Sequence, residues 1–162
     1  MQRKIAFESK LYDRLVSLCV DALPEKAYGI IAGKDDSTAR EIYPLKTNLR
    51  PENETINGIF QSYGQFYCDK DRGFWIDKRE QFEILQCIQE KGFSVLAIYH
   101  SHRCRLATPS QVDIDLHYDP QALALIVSVV NPDKPEVKAF EIANDRFQEA
   151  EIVIHHGRSQ NV

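Results

Sequence analysis

The sequence predicts one α/β (α+β) domain, and three features carry that prediction. Apolar runs of strand length alternate with stretches of helical periodicity, the chain closes on strand after strand from Ala122 onward, and the length is 162 residues, near the ~150 typical of one domain. A composition of 43% hydrophobic and 27% charged residues supplies an ordinary core. With only 7 glycines and 7 prolines, disordered and fibrous classes are excluded. Residues 1–162 are therefore read as a single domain.

The elements follow in order. Ile5 to Phe7 form a short strand. Leu11, Leu15, Leu18, Cys19 and Ala22 then stand at i, i+4, i+7, i+8 and i+11, one face of a helix. Pro24 closes it, because proline restricts the preceding residue and has no amide for the ladder. Lys26 to Ala32 is a strand stopped at Gly33, Lys34-Asp35-Asp36-Ser37 is a turn, and Ala39 to Leu45 returns as the second arm of a hairpin. Residues 47–73 show little periodicity but several aromatics (Phe60, Tyr63, Phe66, Tyr67) among Gly, Asn and Gln. They are read as a long loop or insertion near a groove, with room for a short strand inside. Asp77-Lys78-Arg79-Glu80 has capping-box spacing and opens a helix with Phe82, Leu85 and Ile88 inward and Gly92 as its terminator. Phe93 to Tyr99 is a buried strand that runs into His100-Ser101-His102. Thr108 as N-cap, Pro109 in the first turn and Gln111 completing a capping box begin another helix. Strands Ala122–Val130, Val137–Ile142 and Phe147–Ile154 finish the chain, joined by turns at Asn131–Glu136 and Asn144-Asp145.

Charge narrows the function. The net charge of −4 and a pI near 5.7 give no field to attract a phosphate backbone, so no nucleic-acid partner is expected. The longest near-continuous apolar run, Ala122 to Val130, is interrupted by Ser128 and is about half of the ~20 residues that span a bilayer. No membrane role is expected. Met1-Gln2-Arg3-Lys4 leads into alternating residues without the apolar core of a signal peptide, which points to the cytoplasm. On that reading Asn53-Glu54-Thr55 is a chance match to the glycosylation pattern, and Cys19, Cys68, Cys87 and Cys104, which form no Cys-x-x-Cys pair, are reduced thiols.

One cluster carries chemistry. Strand side chains repeat every two residues, so Leu96, Ile98, His100 and His102 share a face and two imidazoles emerge together. Ser110 and Asp113 lie on one face of the helix start, where the dipole favours a carboxylate. If the loop from Arg103 to Ala107 folds the helix start over the strand end, His100, His102 and Asp113 supply three ligands for one Zn2+ ion. The fourth position is then left for water, the open arrangement of catalytic zinc. Ser110 orients that water or stabilises an oxyanion. Each part alone has an ordinary reading: paired histidines ending a buried strand, and a Ser-x-x-Asp helix opening. Cys104 is placed outside the ligand set, and His117, His155 and His156 are read as surface or terminal. Tyr28 is read as core packing. Arg103 and Arg105 are solvated surface or meet a substrate carboxylate.

His100-Ser101-His102, seven residues, Ser110, two residues, Asp113: this spacing resembles, without a gap, the motif of the JAMM (JAB1/MPN/Mov34) metalloprotease family, in its short prokaryotic branch. Pro24 to Gly33 resembles that family's Pro-x-Glu-x-x-Gly strand, and Phe74-Trp75-Ile76-Asp77 the segment before its second helix. The resemblance implies a JAB1/MPN-type mixed β-sheet flanked by helices, with a cytidine deaminase-like layout. It implies a zinc-dependent peptidase or isopeptidase acting after the C-terminal Gly-Gly tail of a ubiquitin-like or sulfur-carrier protein. A glutamate there moves the proton of the attacking water. Counting back from Gly29, that position holds Lys26, and Glu25 is one place off. Glu25 is the candidate general acid/base if the strand is bulged. If Lys26 faces the metal, the chain is a catalytically impaired docking module for the same partner. The bacterial RadC-like proteins share a similar His-x-His and Pro-Ser-x-x-Asp pattern, but the acidic balance opposes a DNA role. The sequence leaves the identity of the carrier and the oligomeric state open.

Overall fold

The computed structural model describes residues 2–157. Along them run β1 (Lys4–Glu8), α1 (Ser9–Asp21), β2 (Tyr28–Gly33), β3 (Glu41–Pro44), α2 (Glu54–Gln61), a 3₁₀ turn (Gln65–Cys68), α3 (Lys78–Glu90), β4 (Ser94–His102), α4 (Gln111–Asp115), β5 (Leu123–Ser128), β6 (Glu136–Ala143) and β7 (Arg146–His155). The strands form one mixed sheet in the order β1-β7-β6-β5-β4-β2-β3. Pairs β1/β7 and β4/β5 are parallel and the others antiparallel. A parallel neighbour requires a crossover, and the segment between β4 and β5 that makes it contains α4. The sheet curls until its ends meet: the Ala6 amide donates to Ser37 O at 2.7 Å and the Ala39 amide to Ala6 O at 2.8 Å.

Apolar side chains assign the faces. Leu15 and Cys19 of α1 are fully buried against Ile31, Ala97, Tyr99, Leu125 and Val127, with Leu11 and Leu18 packed beside them, as the helical spacing predicts. On the opposite face Ile84 and Ile88 of α3 cover Tyr28, Ile30 and Leu45. A third cluster joins Ile56 and Phe60 of α2 to Tyr67 and to Val112 of α4. Between the second and third clusters a groove opens over the C-terminal end of β4.

Several expectations are corrected. Residues 47–73 are not a plain loop: they contain α2, whose N-cap Asn53 accepts the Ile56 amide at 3.0 Å, and the 3₁₀ turn. Gly58 and the half-exposed Ile59 blur the Ile56/Phe60 spacing that seats this short helix. On α3 the buried row is Ile84/Ile88 at i, i+4, and Phe82 and Leu85 are exposed at 60% and 38%. Glu80 does not close a capping box; its carboxylate accepts the Lys46 and Thr47 amides, while Asp77 caps Arg79 N alone. The N-cap of α4 is Ser110, not Thr108. Leu96 leaves the histidine face, because β2 pairs Ile31 with Ala97 but Ala32 with Val95, and the bulge turns Leu96 into the α1 core.

Candidate metal centre

The end of β4 sets the site. Past the bulge the two-residue period holds, so Ile98, His100 and His102 face the groove while Ser101 faces away. Ser101 is fully buried and ties the strand to the chain entering β2: its Oγ accepts the Ala27 amide at 2.9 Å and its own amide donates to Ala27 O at 2.8 Å. This latch places Tyr28 opposite His100. Lys26, Tyr28 and Ile30 then lie on the histidine side, where Lys26 and Ile30 line the groove.

Glu25 is the residue the structure does not bring in. Alternation carries it away from Lys26, and it is exposed, outside the groove lining. Its amide donates to Ala22 O at 2.7 Å in the turn that follows α1, so the bulge that would bring it to the metal side does not form. Lys26 is partly buried, with its ammonium 5.5 Å from the centre of the Phe74 ring. Burial first, and then the nearby Arg103, Arg105 and Arg50, push its pKa down to about 8 against the opposing pull of Asp113.

Ser110 and Asp113 form a reciprocal capping box: the Asp113 amide donates to Ser110 Oγ at 3.2 Å, and the Ser110 amide to Asp113 Oδ2 at 2.9 Å. Helix capping thereby aims the carboxylate at the histidines. Asp113 Oδ1 lies 3.1 Å from His100 Nε2, Oδ2 lies 3.0 Å from His102 Nε2, and the two ring nitrogens are 3.1 Å apart. Both imidazoles are 95% buried. His102 Nδ1 is 2.8 Å from Leu106 O, a contact only an N–H can make, which selects the tautomer whose Nε2 presents a lone pair when the ring is neutral. Burial pushes the His100 pKa down to about 4, so that ring is neutral near pH 7. Burial alone would raise the Asp113 pKa, but His100 and His102 hold it well below the usual carboxylate range. The neutral His100 imidazole, the His102 ring and an ionised carboxylate thus converge on one point, an arrangement that a cation would complete. The donor set of two nitrogens and one oxygen suits zinc with a position open. Cys104 is exposed and outside this cluster.

Around it the groove encloses about 550 Å³. Phe74 stacks on Tyr28 at 4.6 Å and tilts over His100 at 5.5 Å, forming one wall. Tyr28 is buried, as expected for core packing. Tyr67, Phe66 and Phe60 form the other wall, held by the fully buried Arg50, which donates to Asp69 O at 2.6 Å and to Tyr67 O. The Tyr67 hydroxyl donates to Ser110 Oγ at 3.2 Å. In the sequence Tyr67 stands only as one of the aromatics of 60–67, and nothing marks Arg50. His117 is not a free surface residue either: it is partly buried, with Nε2 2.8 Å from Ala122 O. Arg103 is anchored rather than solvated, donating to Pro24 O and Asp71 O across the groove mouth.

Comparison with known proteins bears on the family and the fold. The family model for prokaryotic homologs of the JAB domain matches residues 8–143. Proteins of Mycobacterium tuberculosis and Mycobacterium bovis named CysO-cysteine peptidase are 25% identical over 129 residues, covering 80% of this chain and 76% of theirs. A solution structure from Desulfitobacterium hafniense superposes with a TM-score of 0.74 at 28% identity, covering 97% of each chain. A JAB1/MPN domain protein from Archaeoglobus fulgidus, 16% identical over 94% of this chain and 98% of its own, shares the fold with a TM-score of 0.55. Among the described residues no helix is long and apolar enough to cross a membrane.

Proposed function

The chain belongs to the prokaryotic homologs of the JAB domain, and from that premise we propose that it is a zinc-dependent peptidase or isopeptidase that cleaves after the C-terminal Gly-Gly tail of a sulfur-carrier or ubiquitin-like protein. The observation that carries this reading is the convergence of His100, His102 and Asp113, whose ligand atoms all lie within 4.8 Å of one another at the floor of the groove. The similarity to peptidases named for a CysO-cysteine substrate supports the sulfur-carrier side of the proposal.

A zinc ion held by those three residues would polarise a carbonyl and lower the pKa of its water toward about 7. The protein does the rest. The Leu106 carbonyl fixes the His102 tautomer, and the α4 capping box fixes Asp113. Ser110 Oγ receives protons from both the Asp113 amide and the Tyr67 hydroxyl, which fills its two lone pairs. Its own proton is what it has left to give, and it gives it to the developing oxyanion. Aromatic walls that include Phe74 and Tyr67 would exclude water from an extended tail, and a diglycine brings no side chains to them.

A second reading is favoured by Lys26. With Glu25 turned out and an ammonium on the groove side, no glutamate among the described residues lines the groove to take the proton of the water, and the domain would dock a tail without cutting it. Incubating zinc-loaded protein with a carrier fusion extended beyond Gly-Gly separates the two. We expect cleavage at the diglycine that disappears in His100→Ala and Asp113→Ala; cleavage that survives both substitutions removes the metal assignment. Tail binding without cleavage, converted to cleavage by Lys26→Glu, establishes the docking reading.

A further inference from the structure

We infer that the wall built on Phe66 carries a recognition element of its own: Arg72 and Arg105 together receive an acidic side chain of the tail, on the residues that precede the diglycine. This rests on the tail-groove reading and adds to it the sequence class of the tail. The chain as a whole carries −4, yet the groove is lined by Lys26, Arg72, Lys78, Arg103 and Arg105 against only Asp113 and Asp119. Asp113 is engaged by the histidines. The groove is thus a basic surface on an acidic protein, complementary to an acidic peptide.

The arginines differ in what they have free. Arg103 is committed to the Pro24 and Asp71 carbonyls and braces the mouth. The Arg72 guanidinium lies 3.9 Å from the centre of the Phe66 ring and that of Arg105 lies 4.2 Å from the same centre. The two are therefore no more than about 8 Å apart, one Debye length at physiological ionic strength. Arg72 reaches Asp69 through Nε at 3.8 Å, a long contact with a half-exposed carboxylate that contributes little. Arg105 is exposed and, among the described residues, has no carboxylate within 4.0 Å. Two guanidiniums on one phenyl ring repel each other, and a carboxylate settling between them answers both charges. Stacking on the ring holds each planar fork in place, so less freedom is lost when the fork takes a carboxylate in two parallel hydrogen bonds.

The same wall connects the pair to the metal cluster. Arg105 lies 5.9 Å from the centre of the Tyr67 ring, the Tyr67 hydroxyl is 3.2 Å from Ser110 Oγ, and Ser110 caps the helix that presents Asp113. At about 3.3–3.6 Å for each extended residue, that path spans no more than about four residues of a tail. The acidic side chain therefore stands close to the diglycine and not on a distant part of the partner. It stands before the diglycine because those residues are the tail's own and are the same in every conjugate, whereas whatever follows changes from one conjugate to the next.

Binding tests this without turnover, using Trp75, the chain's single tryptophan and part of the groove wall, as the fluorescent reporter. The probes are tail peptides that end at the free carboxylate of the diglycine, so nothing remains to be cut. Each carries a single Glu at one of the four positions before the diglycine and is compared with the same peptide carrying Gln. At one of these positions Glu should bind at least tenfold tighter than Gln at low ionic strength, and the preference should shrink as salt is raised. Arg105→Gln and Arg72→Gln should each reduce that preference to less than threefold, and Arg105→Lys should keep more of it than Arg105→Gln. Arg79, exposed on α3 and outside the groove lining, is the control, and Arg79→Gln should leave the preference unchanged. Equal binding of Glu and Gln peptides at every position, or a preference that survives either glutamine substitution in the pair, overturns the inference while leaving the tail groove standing. Failure of every peptide to bind overturns the tail groove itself.

Discussion

Removing one hydroxyl at Tyr67 leaves its ring in contact with Phe60 and Phe66 and takes away only the bond to Ser110. In Tyr67→Phe the Ser110 oxygen regains a free lone pair and its proton is no longer directed. We expect kcat to fall about tenfold with KM nearly unchanged, against a 10²–10³-fold loss in Ser110→Ala, the range for removing one oxyanion donor. The double variant should be no slower than Ser110→Ala, because the two hydroxyls act as one unit. Additive losses would assign Tyr67 a role of its own. The neighbouring pair Glu25 and Lys26 gives an opposite pattern. Glu25 is exposed and off the groove, so Glu25→Gln should change hydrolysis less than about twofold, measured alongside Lys26→Glu in the same fusion-cleavage assay.

The elements that build the aromatic wall are as consequential as the ligands. Asn53 caps α2 through the Ile56 amide, and Asn53→Ala should cost about 1 kcal/mol of unfolding free energy in urea. Phe60 is buried between Tyr67, Trp75 and the Arg50 guanidinium, so Phe60→Ala should cost about 3–5 kcal/mol. Gly73 passes so close to Phe60 that a Cβ there would lie 2.3 Å from the ring, and its φ of 88° is one that L side chains rarely adopt. Gly73→Ala should therefore weaken peptide binding as well as stability. The row of exposed residues on α3, Phe82 and Leu85, borders the same groove through Leu85. Reading an i, i+3 row there failed because three residues turn a helix through 300°, not 360°, and the row drifts off the packed stripe.

For the whole molecule, acidity and the proposed metal act on one cluster. In metal-free protein His100 takes its proton only near pH 4, whereas the unfolded chain takes it near about 6.5. Protons then favour the unfolded chain, so the stability linked to His100 is present above about pH 6.5 and is lost as the pH falls toward 4. Asp113, held below its ordinary value, adds a loss in the same direction at lower pH. Thermal unfolding followed from pH 8 to pH 4 should show this decline, and His100→Gln should flatten its upper part. Zinc held by the folded cluster, as proposed, should raise the unfolding free energy by about 4 kcal/mol at a free concentration a thousandfold above its dissociation constant. A chelator should reverse that gain.

How much was legible beforehand follows from the range of the forces involved. The convergence of His100, His102 and Asp113 was legible because local geometry positions them: the period of a strand puts His100 and His102 on one side, and a capping box at a helix start presents Asp113. The α1 stripe and the closing strands were legible for the same reason. The α2 helix was hidden because its short apolar face becomes favourable only when Tyr67 and Val112 pack against it. Tertiary structure alone decided between Glu25 and Lys26. The side to which the chain before β2 turns is set by the pairing of Ala27 with Ser101, residues separated by 74 positions, and a one-residue slip of that pairing would put the Glu25 carboxylate in place of the Lys26 ammonium on the side of His100 and His102.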